Sequence, residues 1–203
     1  MIGRFFGAAA AAIFLVAALP AAAQLNKSES YDFLDAVRKS DGSKVDGFLR
    51  DKTKRLVNSK DRNTGEGALH IAAARSDSLY LRVILQQDDA NPNLQDRRGN
   101  TALILAAGRA WMQGVEILLR YKANVNLANA SGETALIRAV QVHDLEVATA
   151  LLNAGADPDR TDNISGKSAR DYAREGTRWP SIVKLLTDAP KASRSSAAAG
   201  PKL

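Results

Sequence analysis

Little in this chain could do covalent chemistry. It has two histidines, His70 and His143, and no cysteine, which excludes thiolate nucleophiles, disulfides and cysteine metal sites. The histidines stand far apart, with no His pair at metal-ligand spacing, and no G-x-S-x-G nucleophile turn occurs. The triplets Asn91-Pro92-Asn93 and Asp157-Pro158-Asp159 resemble acidic metal loops. Calcium, however, wants several more oxygen ligands nearby in sequence, and short polar side chains at such places suit backbone bonding in turns. No catalytic residue, metal or cofactor is expected.

The arginines point elsewhere. A guanidinium can pair a carboxylate bidentately and stack on aromatics. Arg62, Arg97 and Arg98 fall in turns rich in Gly and Asn, with Asn100 beside them. Arg75 and Arg109 follow short Ala-rich helical stretches, and Trp111 comes just after Arg109. This set predicts a binding surface for a protein partner with acidic groups, Trp being a favoured anchor at such surfaces. The competing reading is a solvated charged face interrupted by Glu66, Asp77 and Glu133.

The elements that would position these residues repeat. Gly65, Gly99, Gly132 and Gly166 are spaced by 34, 33 and 34 residues, and the same steps relate Ala72, Ala106, Ala139 and Ala173, and Leu85, Leu119, Leu152 and Leu186. Three position sets sharing one period predict a solenoid, in which each unit buries a face on the next. Each glycine suits a turn position of positive φ. Two residues later, Thr101, Thr134 and Ser168 can cap a helix through their hydroxyls. The paired alanines allow close packing of that first helix. Apolar residues at helical spacing follow in a second helix: Val83, Ile84 and Leu85; Val115, Leu118 and Leu119; Val147, Leu151 and Leu152. Asn93, Asn126 and Asp159 close the units.

These residues resemble the ankyrin repeat family. Its pattern of turn glycine, T-P-L-H, paired alanine, V-x-x-L-L, G-A and N is matched by Gly132, Thr134-Ala135-Leu136-Ile137, Ala139, Val147, Leu151-Leu152, Gly155-Ala156 and Asp159. Ala68-Leu69-His70 and Thr101-Ala102-Leu103 match in the preceding units. The resemblance implies an all-α solenoid of helix-turn-helix units with projecting β-turn fingers, and no enzyme activity. It also implies that His70 bonds neighbouring turn backbones, that Asp96 and Asp162 are structural turn residues, and that fingertips and the concave helix face bind the partner. The arginines above would then form one strip.

The departures from the pattern carry information. The T-P-L-H proline is Ala throughout, which is harmless at a first helical position. The first full unit has Gly67 where Thr would cap, and one extra residue in its turn, 61–65. Arg170 replaces a buried Leu, as expected if no further repeat covers that face. Residues 31–58 read as a degenerate opening unit, with Phe33, Leu34 and Val37 in one helix and Val45, Phe48 and Leu49 in its partner. Trp179, beside Pro180, is expected in the core of the last unit, and His143 at a surface or helix cap. The expected division is an opening cap over 24–60, units over 61–95, 96–128 and 129–161, and a closing cap over 162–189. A disordered tail over 190–203 follows.

Residues 1–23 read as a secretory signal peptide: Arg4, an apolar run over 5–19, Pro20, then Ala21-Ala22-Ala23 with cleavage after Ala23. The apolar run is short for a membrane span, so no stable membrane anchor is expected after cleavage. Export to the periplasm or beyond, as a monomer, is the corresponding expectation. The net charge of +6 falls to +2 for residues 24–190, because Arg4, Lys191, Arg194 and Lys202 lie outside them. Nucleic acid is therefore not an expected partner. The function expected is that of a non-catalytic protein–protein interaction module. An inhibitor, immunity or chaperone-like protein for a secreted enzyme or toxin is the second reading.

Overall fold

The computed structural model describes residues 21–176 and 178–190, with side chains from residue 29 onward. The leader expected over 1–23, apart from its last three residues, and the tail from 191 on lie outside the described residues. Among the described residues, ten α-helices follow in sequence: α1 Ala21–Lys39, α2 Gly42–Arg50, α3 Ala68–Ala74, α4 Ser78–Leu85, α5 Ala102–Gly108, α6 Met112–Arg120, α7 Ala135–Gln141, α8 Leu145–Asn153, α9 Ala169–Glu175 and α10 Pro180–Asp188. Two 3₁₀ turns, Lys52–Lys54 and Leu56–Asn58, join α2 to the first finger. The helices pair antiparallel. The first members α1, α3, α5, α7 and α9 stack in one row, and α4, α6, α8 and α10 in a second row behind it.

Helices of seven residues are too short to persist alone, so packing and caps must hold them. Ala72, Ala106, Ala139 and Ala173 are each at most 4% exposed, and their small size lets neighbouring first helices approach closely. Leu69, Leu103 and Leu136 fill the space between units at 2% exposure or less. The hydroxyls of Thr101 and Thr134 accept from the backbone N–H of Ile104 at 3.2 Å and Ile137 at 3.3 Å. Ser168 and Asp171 form a reciprocal capping box. Asp77 and Asp144 cap the second helices α4 and α8. In the opening unit, Phe33 and Phe48 meet edge to face at 6.0 Å, and Phe33, Leu34 and Val37 are buried.

The fingers are joined to one another through backbone. Arg97 N–H donates to the Thr64 carbonyl at 3.0 Å, Ala130 to Arg98 at 2.8 Å, and Asn163 to Ser131 at 2.8 Å. Such close approach needs glycine at the bend. Gly99 has φ +75°, and a side-chain carbon there would lie 2.7 Å from the Ala130 nitrogen, inside any van der Waals contact. Within the fingers, Asp61, Asp96, Asn129 and Asp162 each accept from two or more backbone N–H groups.

A second line of bonds runs along the loops that leave the outer helices. Asn58 Oδ1 accepts from Asn91 N–H at 2.9 Å, Asn93 from Asn124 at 2.7 Å, and Asn126 from Asp157 at 2.8 Å. Asn91, Asn124 and Asp157 in turn accept from the N–H two residues on, so each unit hands the ladder to the next.

Two expectations fail at the C-terminal unit. Arg170 is 7% exposed: its face is covered, by the end of α10 rather than by a further repeat. The guanidinium donates to Asp159 at 2.7 Å and to the carbonyls of Leu186, Thr187 and Ala189. A cation at the C-terminal end of a helix satisfies carbonyls that have no partner within it. Trp179, expected in the core, is 45% exposed. It precedes α10 and stacks on His143, with ring centroids 4.7 Å apart.

Candidate partner-binding groove

The turns and the first helices meet at an angle and leave a groove between the second and third fingers. Its volume is about 720 Å³. Arg97, Arg98 and Asn100 line it from one finger, and Asn129, Ala130, Ser131 and Glu133 from the next. The floor is Ile104, Leu105, Gly108 and Arg109 of the α5 region, with Arg138 of α7. The backbone bonds between the fingers and the packing of α5 on α7 position the backbone that carries these groups. Asp96 holds Asn100 through both its N–H and its side-chain amide. Asn129 bridges the fingers, its amide donating to Asn100 Oδ1 at 3.0 Å and to Glu133 at 2.9 Å.

Four of the residues singled out from the sequence, Arg97, Arg98, Asn100 and Arg109, thus share one concavity. The others do not reach it. Arg75 spends its guanidinium on the end of α1, donating to the carbonyls of Val37 and Arg38 at 2.9 Å each and to the Ser40 hydroxyl. Arg62 lies on the preceding finger, and its carbonyl accepts from the Arg97 guanidinium. Trp111 turns onto Gly114, which has no side chain to obstruct it, and packs against the core behind the groove. The strip expected of five arginines is therefore a shorter cluster. Arg75 and Trp111 drop out because local carbonyls and a local glycine claim them.

Among the groove residues that went unmarked in the sequence, such as Asn129 and Ser131, one is charged. Arg138 lies over Gly108, its Nε 3.2 Å from where a side-chain carbon would stand. The repeat spacing aligns Ile71, Leu105, Arg138 and Tyr172, and the single charge in that apolar column was the signal that could have found it.

Elsewhere the polar groups serve the scaffold. The His70 Nδ1 accepts from Gly67 N–H at 3.0 Å, and Nε2 contacts the Asn100 carbonyl at 2.8 Å. The ring therefore carries its proton on Nε2 and joins the first finger to the second. Burial lowers its pKa. Gly65, Gly99, Gly132 and Gly166 all have positive φ at the finger bends. Asp162 is buried, and although burial opposes its charge, the Tyr172 hydroxyl and the Ser165 N–H and hydroxyl hold its carboxyl below the ordinary range.

A family model described as ankyrin repeats in three copies matches residues 35–127 and 69–162. The chain belongs to the ankyrin repeat family. Curated relatives agree over the repeat region. BCL-6 corepressor-like protein 1 of Homo sapiens is 35% identical over 137 residues, which is 68% of this chain and 8% of that protein. Neurogenic locus notch homolog protein 1 of Danio rerio is 40% identical over 135 residues, 64% of this chain and 5% of the relative. E3 ubiquitin-protein ligase KEG of Arabidopsis thaliana is 31% identical over 101 residues, covering 49% and 6%. The chain therefore spans under a tenth of the length of these relatives, and the similarity concerns the ankyrin array alone. Ankyrin repeats mediate protein–protein interaction, and the family is in general non-catalytic. Among the described residues no helix is long and apolar enough to cross a membrane.

Proposed function

We propose that this ankyrin protein is an exported, non-catalytic docking module that holds a protein partner bearing acidic groups in the groove between its second and third fingers. The observation that carries the reading is the convergence of Arg97, Arg98, Asn100 and Arg109 on one concavity. Export is supported by the Arg4, apolar run and Ala21-Ala22-Ala23 pattern at the N-terminus. Affinity in such a site comes from a few anchors rather than from buried area. The backbone links between fingers keep the groove open and ready-formed, which lowers the ordering cost of binding.

The test is affinity capture with the tagged full chain expressed in its own cells, beside a Ser131→Trp variant that fills the groove. A stoichiometric partner lost on filling the groove supports the reading, and an unchanged set of captured proteins overturns it. N-terminal sequencing of the same preparation checks export, with Gln24 expected as the first residue.

A further inference from the structure

The groove carries more positive charge than its own carboxylate can neutralise. Arg98 and Arg109 are exposed, and among the described residues neither guanidinium has a hydrogen-bond or ion-pair partner. Arg97 gives one N–H to the Arg62 carbonyl. Arg138 is the member with a carboxylate, Glu133, and that pair is loose. Its Nη1 lies 3.4 Å from Glu133 Oε1 and 3.1 Å from Gln141 Oε1, whereas a good charge-assisted bond is about 2.7–2.9 Å. Glu133 is held more closely by the scaffold than by Arg138: its N–H donates to Asn129 Oδ1 at 3.0 Å and its Oε2 accepts from the Asn129 amide at 2.9 Å. Gly108 leaves the guanidinium of Arg138 lying over bare backbone, open to a ligand in the groove.

We infer that the groove takes an extended acidic peptide segment, one carboxylate of which displaces Glu133 as the partner of Arg138 while others meet Arg98 and Arg109. The inference rests on the docking reading above and adds to it the chemistry of the partner and the role of Glu133. Glu133 stands where a ligand carboxylate would stand, so it acts as a built-in competitor. It screens Arg138 when the groove is empty and must give way when the groove fills. A peptide is favoured over a polyphosphate chain because the cations are gathered over one short groove with an apolar floor at Ile104 and Leu105. A nucleic acid backbone needs a long basic track, and residues 24–190 carry a net charge of only +2. The side-chain amide of Asn100, which gives one of its two N–H groups to Asp96, and the hydroxyl of Ser131 add neutral groups able to bond a peptide backbone.

The experiment is fluorescence polarisation on the full chain with a labelled hexapeptide of four glutamates and two leucines, its glutamine counterpart, and an oligothymidylate. The acidic peptide is expected to bind at least about tenfold more tightly than the glutamine peptide, from several exposed charge pairs acting together. Glu133→Gln should tighten that binding about threefold or more, and the Arg98→Glu, Arg109→Glu double variant should abolish it. Both arginines are exposed and unpartnered, so the double variant should keep the parent's thermal midpoint. Equal affinity for the two peptides, no gain in Glu133→Gln, or oligothymidylate binding as tight as the acidic peptide overturns the inference. Failure here is separable from failure of the docking reading. A captured partner that is lost with Ser131→Trp but kept with Arg98→Gln, Arg109→Gln leaves docking intact and overturns the acidic ligand.

Discussion

His70 shows how one side chain can tie two units together and make that tie depend on pH. Its ring accepts from Gly67 and reaches the Asn100 carbonyl, an arrangement that requires the neutral form. Burial lowers its pKa from the ordinary 6.5, while the charges of Asp96 and Glu66 oppose the shift and Lys60 adds to it. The unfolded chain therefore takes up the proton first as pH falls. The stabilisation is complete above the unfolded pKa and declines once pH drops below it. The thermal midpoint should fall between about pH 7.5 and 5.5 in the parent chain, and the slope should flatten in His70→Gln. An equal slope in both would place the sensitivity elsewhere. The finger carboxylates act at lower pH. Asp61 is held at about 2 by the backbone N–H groups of Thr64 and Asn63 and by Arg38. Its contribution is present above the unfolded carboxylate range near 4 and fades as pH falls towards 2.

At the scale of the element, short helices depend on their ends. Arg170 closes α10 by donating to three terminal carbonyls while pairing Asp159. Arg170→Met keeps much of the volume but strips those carbonyls of a donor, and should cost about 1–3 kcal/mol in urea unfolding. A variant as stable as the parent would show that water replaces the guanidinium. Gly99→Ala attacks a finger instead. The positive φ and the 2.7 Å approach to Ala130 should make it cost more than about 1 kcal/mol by the same measurement. Caps and glycine bends were legible beforehand, because Thr101, Thr134, Ser168 and the four glycines act within a few residues of themselves. Arg170, Trp179 and Arg75 were not. What each touches is set by where another helix ends, sixteen or more residues away for Arg170 and further for Arg75. Arg138 lay between these cases, visible as a charge in an apolar column but with nothing local to say which way it faces.

For the molecule as a whole, the main contacts of each unit among the described residues are with its neighbours, so protection against opening should follow position in the stack. Amide exchange should be slowest in α5 and α7, which are flanked on both sides, and faster in α2 and α10. Uniform exchange across the ten helices would mean that the array opens as one block. The groove lies between α5 and α7, so the binding surface sits in the part of the stack that frays last. The asparagine ladder through Asn58, Asn91, Asn93, Asn124, Asn126 and Asp157 adds a mechanical property. It crosses every seam between the full units, and at two of them the same side chain adds a second bond, Asn58 donating to the Asp89 carbonyl at 2.6 Å and Asn126 to the Gly155 carbonyl at 3.0 Å. Pulled from its two ends, the protein should behave as a spring that yields seam by seam. Each unit of 33 or 34 residues released should lengthen the tether by about 110 Å. A sawtooth force trace with that step, its teeth weakened by Asn93→Ala, would identify the ladder as the seam's tensile element.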